Sequence, residues 1–398
     1  MIAASPRRIS AILWTINLSS IAASVFSYVY LSYFVYLQTN SVLLSEAVLL
    51  APMVIPVLLC LVINRIAGIG APRQILAAFN IVGVLVALLT YAGIGSEVYV
   101  AIAGALVIGF LDAVQRVART VAIKRYFSAA DVKFALPITL TAQFMAGGLA
   151  GVGLGFYRSE VTPLIAGSIV TMAFGLAAVA AWLLPRPPQE ESLGVQATAP
   201  QGGAFSILRR LLSQNATLRK YFFAFLIFVS VFQGFFNVSR VTLPTHVLNL
   251  PQNFVGYLQI ISAMSALAGA LLFVWLSKKK FQFSRVTMAG LSIISLGGMI
   301  GATAIPDVLP SYFLYFIYMF VWEILFFKYQ SDVVTTTPPE NMALVATFQY
   351  AGVYLGMIVT GILGGLITEQ ASLTTAALVF AVIYLVLMLL NSKQVARE

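Results

Sequence analysis

The chain has 398 residues, 60% hydrophobic and 9% charged, with a net charge of +10 and a mean hydropathy of +0.96. That balance excludes a soluble globular domain, and its apolar runs of about 20 residues are the length that crosses roughly 30 Å of hydrocarbon, too long for barrel strands. One cysteine, Cys60, and one histidine, His246, leave no material for a disulfide or a metal cluster, so no enzyme activity, metal or cofactor is expected.

The hydropathy predicts an all-α polytopic membrane protein with twelve spans, at 11–37, 43–63, 74–94, 98–120, 134–156, 162–184, 221–245, 254–276, 285–304, 309–330, 342–367 and 372–391. Met1–Ser10 is short and basic, and no small-residue cleavage site follows, so the first span is expected to act as its own insertion signal. Basic residues fall in alternate loops. Arg7 and Arg8, Arg65 and Arg73, Lys124 to Lys133, Arg186 to Lys220, Lys278 to Arg285, and Lys393 with Arg397 lie on one side. The opposite loops hold Glu97, Arg158, Glu160, Asp307 and Glu369. This positive-inside pattern accounts for the net charge without a nucleic-acid partner, and predicts a multi-pass inner-membrane protein with both termini cytoplasmic. A monomer in the lipid bilayer is expected.

Residues 185–220 form the one long polar stretch. Pro185, Pro187, Pro188, Glu190, Glu191, Pro200, Gly202 and Gly203 give it a linker composition, and Phe205–Leu212 has the pattern of a short amphipathic helix on the cytoplasmic surface. The expected organisation is a six-span bundle over 1–184, this linker, and a second bundle with a short tail over 221–398. Traces of duplication support it. Thr141, Gln143 and Phe144 in span five match Thr347, Gln349 and Tyr350 in span eleven. Asp112 in span four has a counterpart in Glu323 of span ten. Asn17, Ser20, Ser24 and Ser27 share one face of span one, and Ser230, Gln233, Asn237 and Arg240 share one face of span seven.

The intramembrane acids are the first candidates for chemistry. One ionised residue near a bilayer centre costs roughly 2.5–3.5 kcal/mol on insertion scales, so such groups face a bundle interior and find a partner or a function. Asp112 and Arg116 are four apart and share a helix face, which fits either a proton-coupling site or a structural ion pair. Glu323 has Phe327 at i+4, with Lys328 on a different face, and is freer to exchange protons. Arg240 can hold an anionic substrate group or snorkel to the interface. Asn17, Gln143 and Gln349 can bond substrate or join helices. Tyr315, Tyr318 and Trp322, at i, i+3 and i+7, are expected to line a cavity, whereas Tyr33 and Tyr36 suit the interfacial belt. The run of small residues from Gly147 through Gly148, Gly151 and Gly153 to Gly155 is expected to serve close helix packing.

Two stretches, LSSIAASVFSYVYLSYFVYLQTNSVLLSEAVLLAPMVIPVLL from Leu18 and PTHVLNLPQNFVGYLQIISAMSALAGALL from Pro244, give the chain its likeness to known proteins. It resembles the major facilitator superfamily, in the branch of drug, siderophore and peptide-antibiotic exporters. The superfamily pattern G-x-x-x-D-R-x-G-R after span two is kept only as Cys60, Asn64, Arg65, Gly68 and Arg73, with Asn64 in the place of the acid. Ala22 and Ala23 stand where the branch often has Gly-Asp. The resemblance implies two six-helix bundles alternating over a central site lined by spans one, four, seven and ten. It implies a secondary transporter that exports a small amphipathic molecule against protons. Site residues on this reading are Asp112, Glu323 and Arg116 for coupling, and Asn64, Arg65 and Arg73 for the conformational loop. Substrate contacts are Asn17, Ser24, Gln143, Gln233, Asn237, Arg240, Tyr315, Tyr318, Trp322 and Gln349. Proton-coupled uptake is the alternative direction, and a non-transporting receptor or assembly protein the alternative class.

Overall fold

Helix starts in the computed structural model fall where capping chemistry puts them. Thr162, Asn215 and Ser284 each accept a hydrogen bond from the backbone N–H three residues on, which satisfies a first-turn donor. Pro72 and Pro163 open helices at a position whose N–H has no partner within the helix anyway. The structure describes residues 5–39, 41–94, 97–157, 161–185, 203–251 and 254–396. Pro187, Pro188, Glu190, Glu191, Pro200 and Gly202 of the expected linker lie outside the described residues, as do Arg158, Glu160, Arg186 and Arg397.

Fourteen α-helices make up the described residues, with no strand among them. Eleven are long and apolar enough to cross a membrane. The chain is an all-α polytopic membrane protein. The second expected span is divided into α2 (Val42–Leu58) and α3 (Cys60–Ile69), with the break at Leu59. Pro52 and Pro56 lie inside α2, and Pro56 offers no N–H to the carbonyl of Pro52, which weakens the ladder just ahead of the break. Two compact units are present: Met1–Ala204 with Pro338–Ala351, and Phe205–Thr337 with Gly352–Glu398.

The first unit contains α1 (Pro6–Thr39), α2, α3, α4 (Pro72–Gly93), α5 (Val98–Tyr126), α6 (Ala129–Tyr157) and α7 (Pro163–Trp182). Its core joins Phe26, Leu31 and Val35 of α1 to Ala87 and Tyr91 of α4, Ala105 and Ile108 of α5, and Val170 and Phe174 of α7. Polar bonds tie α1 to α6, since Trp14 Nε1 donates to Thr141 Oγ1 at 3.1 Å and Asn17 Nδ2 to the Thr139 carbonyl at 2.6 Å. Segment 338–351 packs in this unit, where the hydroxyls of Thr120 and Tyr350 are 3.2 Å apart.

The second unit contains α8 (Ala204–Gln214, from Phe205 on), α9 (Ala216–Thr242), α10 (Phe254–Lys278), α11 (Arg285–Ala304), α12 (Val308–Thr336), α13 (Met342–Gln370, from Gly352 on) and α14 (Leu373–Ala396). α8 is amphipathic as expected, with Leu208 and Leu212 buried and Arg209 and Arg210 exposed. Small residues bring α9 and α13 together. Gly352 faces Leu226, Gly356 faces Ser230, Thr360 faces Gly234 and Gly364 faces Val238. Both helices therefore run the same way, and they meet at every fourth residue along one ridge. The expected small-residue packing of α6 is not found at Gly147 or Gly148, where an added Cβ would meet nothing among the described residues. The surroundings of Gly151, Gly153 and Gly155 lie outside the description.

Two glycines of α13 test this contact. Gly356→Val would drive a side chain into Ser230, whereas a Cβ at Gly361 meets open space. Gly356→Val is expected to cost about 1–3 kcal/mol by overpacking, and Gly361→Val little. Thermal unfolding of the purified chain in detergent measures the difference.

Candidate functional site

Asp112 is the fifteenth residue of α5 and Glu323 the sixteenth of α12, two helices of 29 residues each. Their surroundings are opposite. Asp112 is 3% exposed, and its Oδ2 accepts a 2.8 Å hydrogen bond from Arg116 Nε. Its Oδ1 lies 3.8 Å from Arg119 Nη2, close enough for attraction but not for a hydrogen bond. Arg119 is 4% exposed and reaches α1, donating from Nη1 to Ser20 Oγ at 3.0 Å. Asp112, Gln115, Arg116 and Arg119 are spaced i, i+3, i+4 and i+7, so α5 presents them as one stripe. Arg116 was expected beside Asp112. Arg119 and Gln115 were not singled out, although the same spacing rule reaches them.

Glu323 has no exposed surface, and neither carboxylate oxygen has a hydrogen-bond partner among the described residues. It sits in the seam between α10 and α12. A Cβ built at Gly269 would lie 2.6 Å from the Phe320 carbonyl and 2.9 Å from Glu323 Cβ, so only glycine lets the helices meet there. The i+5 cation, Lys328, pairs instead with Asp332 one turn further along α12.

The expected substrate contacts divide into two groups. Gln233, Asn237 and Arg240 are half-buried on one face of α9, with the Arg240 guanidinium 6.0 Å from the Phe236 ring centre. That face ends where α9 widens at Leu243–Val247, held by a hydrogen bond from Leu248 N–H to the Leu243 carbonyl. Gln143 is half-buried on α6, and Gln349 is wholly buried on α13. Ser24 turns back on its own helix, donating to the Ser20 carbonyl at 3.0 Å. Asn17 joins helices through its amide nitrogen and keeps a buried Oδ1 without a partner among the described residues.

Tyr315, Tyr318 and Trp322, expected at a cavity wall, are core residues in this conformation. The Tyr315 hydroxyl is 3.0 Å from that of Ser239, and Tyr318 donates to the Phe232 carbonyl at 2.6 Å. Trp322 stacks on Phe228, within an aromatic cluster that also holds Phe232, Tyr329 and Tyr384. The reason is the partner helix: α9 brings Phe228, Phe232 and Ser239 to the α12 face that the spacing had marked. In the conformational-loop segment, Asn64 is half-buried and Arg65 exposed. The Arg73 guanidinium lies 5.5 Å from the Trp182 ring centre, a cation–π contact between the start of α4 and the end of α7. Among the described residues no group of three or more His, Cys, Asp or Glu could hold a metal ion.

No family model and no curated protein sequence matches the chain. Solved structures do. The chain is similar to the human organic anion transporter MFSD10 (TETRAN), with a TM-score of 0.76 and 11% identity over 98% of this chain and 100% of that one. It is similar to the E. coli fucose:proton symporter FucP, with a TM-score of 0.74 and 14% identity over 96% and 97%. A bacterial homologue of the iron transporter ferroportin, in an outward-facing state, gives 0.69 and 10% over 97% and 98%. The fold is that of the major facilitator superfamily transporters.

The core position of the α12 tyrosines has a measurable consequence. Tyr318→Phe removes the bond to the Phe232 carbonyl and is expected to lower stability by about 1 kcal/mol. Thermal unfolding in detergent should show the loss, with ligand affinity unchanged. A lining residue would give the reverse.

Proposed function

We propose that the chain is a proton-coupled secondary transporter of a small amphipathic organic molecule, working by alternating access of one binding site to the two membrane sides. Its place is the inner membrane, with both termini cytoplasmic. The observation that supports proton coupling is Glu323, wholly buried with no bonding partner for either oxygen among the described residues. A carboxyl group without a counter-charge in apolar surroundings costs far less carrying a proton than carrying a charge. A carrier that opens it to water in one state and encloses it in another moves a proton with each cycle. Asp112, already engaged by two arginines, is less suited to that task and serves the cargo side. Gln233, Asn237 and Arg240, half-buried on one face of α9, are the further cargo contacts on this reading.

Export, as of a siderophore, antibiotic or drug, is the direction that the sequence resemblance favours. Uptake is the second reading, and the likeness to a fucose:proton symporter favours it, as do Asn64, Ala22 and Ala23 in place of exporter-pattern residues. The fold alone leaves the cargo open, since the similar structures are an organic anion transporter, a fucose:proton symporter and a bacterial homologue of an iron transporter.

Inside-out vesicles with an acidified interior and a pH-sensitive dye test both readings. A compound from an amphipathic panel is expected to dissipate the gradient, and Glu323→Gln to abolish that response while leaving membrane insertion intact. Normal uphill transport by Glu323→Gln would remove Glu323 from the coupling step. Accumulation with protons in right-side-out vesicles, with no response in inside-out ones, would make the protein an importer.

A further inference from the structure

The basic end of the second unit holds a side-chain cluster that the transport reading does not use. Tyr221, in the second turn of α9, is approached by two lysines: its ring centre is 6.0 Å from Lys220 Nζ and 5.8 Å from Lys328 Nζ of α12. Lys328 is ion-paired with Asp332 one turn further along α12. Arg285, the first residue of α11, is exposed and close enough for its charge to act on both Lys220 and Tyr221. The described acids of the second unit are Asp307, Glu323, Asp332 and Glu369, and of these only Asp332 acts on Lys220. Three cations therefore meet one carboxylate among the described residues. Like charges held together repel, and water screens half-buried ones poorly, so the cluster is stabilised by an added anion. The Asn391 amide of α14 donates to the Lys220 carbonyl at 3.1 Å and fixes the backbone of α9 at this place. Apolar side chains are exposed beside the cations on the same helices, Phe223 on α9 and Val286, 81% exposed, on α11. Cations next to exposed apolar surface, at the ends of membrane-length helices, match a phospholipid whose phosphate sits at the interface and whose chains cover the flank.

We propose that Lys220, Arg285 and Lys328 form a binding site for the phosphate of an anionic phospholipid, with Tyr221 as the surface against which the two lysines are held. Asp332 orients Lys328, which leaves Lys220 and Arg285 as the cations that meet the lipid first. The bound lipid joins the starts of α9 and α11 to the late turns of α12 and removes the repulsion among them. The site goes beyond the transport reading and stands without it, since it concerns the lipid around one unit and not the cargo.

The test uses the purified full chain in detergent, titrated with phosphatidylglycerol, with phosphatidylcholine of the same acyl chains, or with inorganic phosphate, and read by thermal unfolding. Phosphatidylglycerol is expected to raise the unfolding temperature at concentrations where phosphatidylcholine, neutral overall, does not. Arg285→Gln and Lys220→Gln should each raise the phosphatidylglycerol concentration needed for half the effect by about fivefold, the contribution of one basic residue beside an anionic lipid surface. Lys279→Gln is the control. Lys279 is exposed, its Nζ lies 5.5 Å from the Trp275 ring centre, and it is no part of the cluster, so its loss should leave the titration unchanged. A shift for Lys279→Gln as large as that for Arg285→Gln, or no shift in either cluster variant, would reduce the effect to the general basicity of this face and overturn the site. Equal stabilisation by phosphatidylcholine, or by inorganic phosphate at matched concentration, would overturn the assignment to an anionic lipid.

Discussion

A carboxylate enclosed by apolar helices must find a counter-charge or hold a proton, and the two units meet that demand in different ways. Asp112 and Glu323 occupy almost the same register in helices of equal length. In the first unit the acid is clasped by arginines one and two turns further along the same helix, and the clasp is tied to α1 through Ser20. In the second unit the acid has no bonding partner among the described residues, and a glycine of α10 makes room for it. That contrast between the two acids is the arrangement on which the functional reading depends. One acid is enclosed with no bonding partner among the described residues, and the other is bound up with fixed positive charge.

Packing supports that division. α12 cannot rotate to offer Glu323 a partner, because α10 and α11 approach its backbone through Gly269 and Gly298. Ser295 donates to the Tyr318 carbonyl at 3.0 Å from the α11 side, and Tyr318 donates in turn to α9. The tyrosines thus fix the rotation of the helix that carries the acid. In the first unit the hydrogen bonds of Trp14 and Asn17 to α6 do the corresponding work for α1, the helix against which Arg119 is braced.

Much of this was legible in the sequence because hydrophobic length and intramembrane charge are local properties. The spans, the amphipathic α8, the i,i+4 pairing of Asp112 with Arg116 and the isolation of Glu323 all follow from counting along one helix. What failed to show depends on a second helix. Ser20 is an ordinary serine until α5 lies beside it, and the helical spacing of Tyr315, Tyr318 and Trp322 marks a face without saying what the face meets. The glycines of α6 and α13 look alike in sequence, yet Gly356 touches Ser230 and Gly147 has no near neighbour among the described residues. The break at Leu59 was within reach, since Pro52 and Pro56 stand in plain view.

The four-residue ridge shared by α9 and α13 also bears on how the two helices can slide. Each contact along it sets a glycine of one helix against a side chain of the other: Gly352 against Leu226, Gly356 against Ser230, Gly234 against Thr360 and Gly364 against Val238. A slip by one repeat, about 6 Å along the axis, would bring Thr360 against Val238 or Ser230, where no glycine receives it. The seam therefore favours one register, and the two helices are expected to move as a pair.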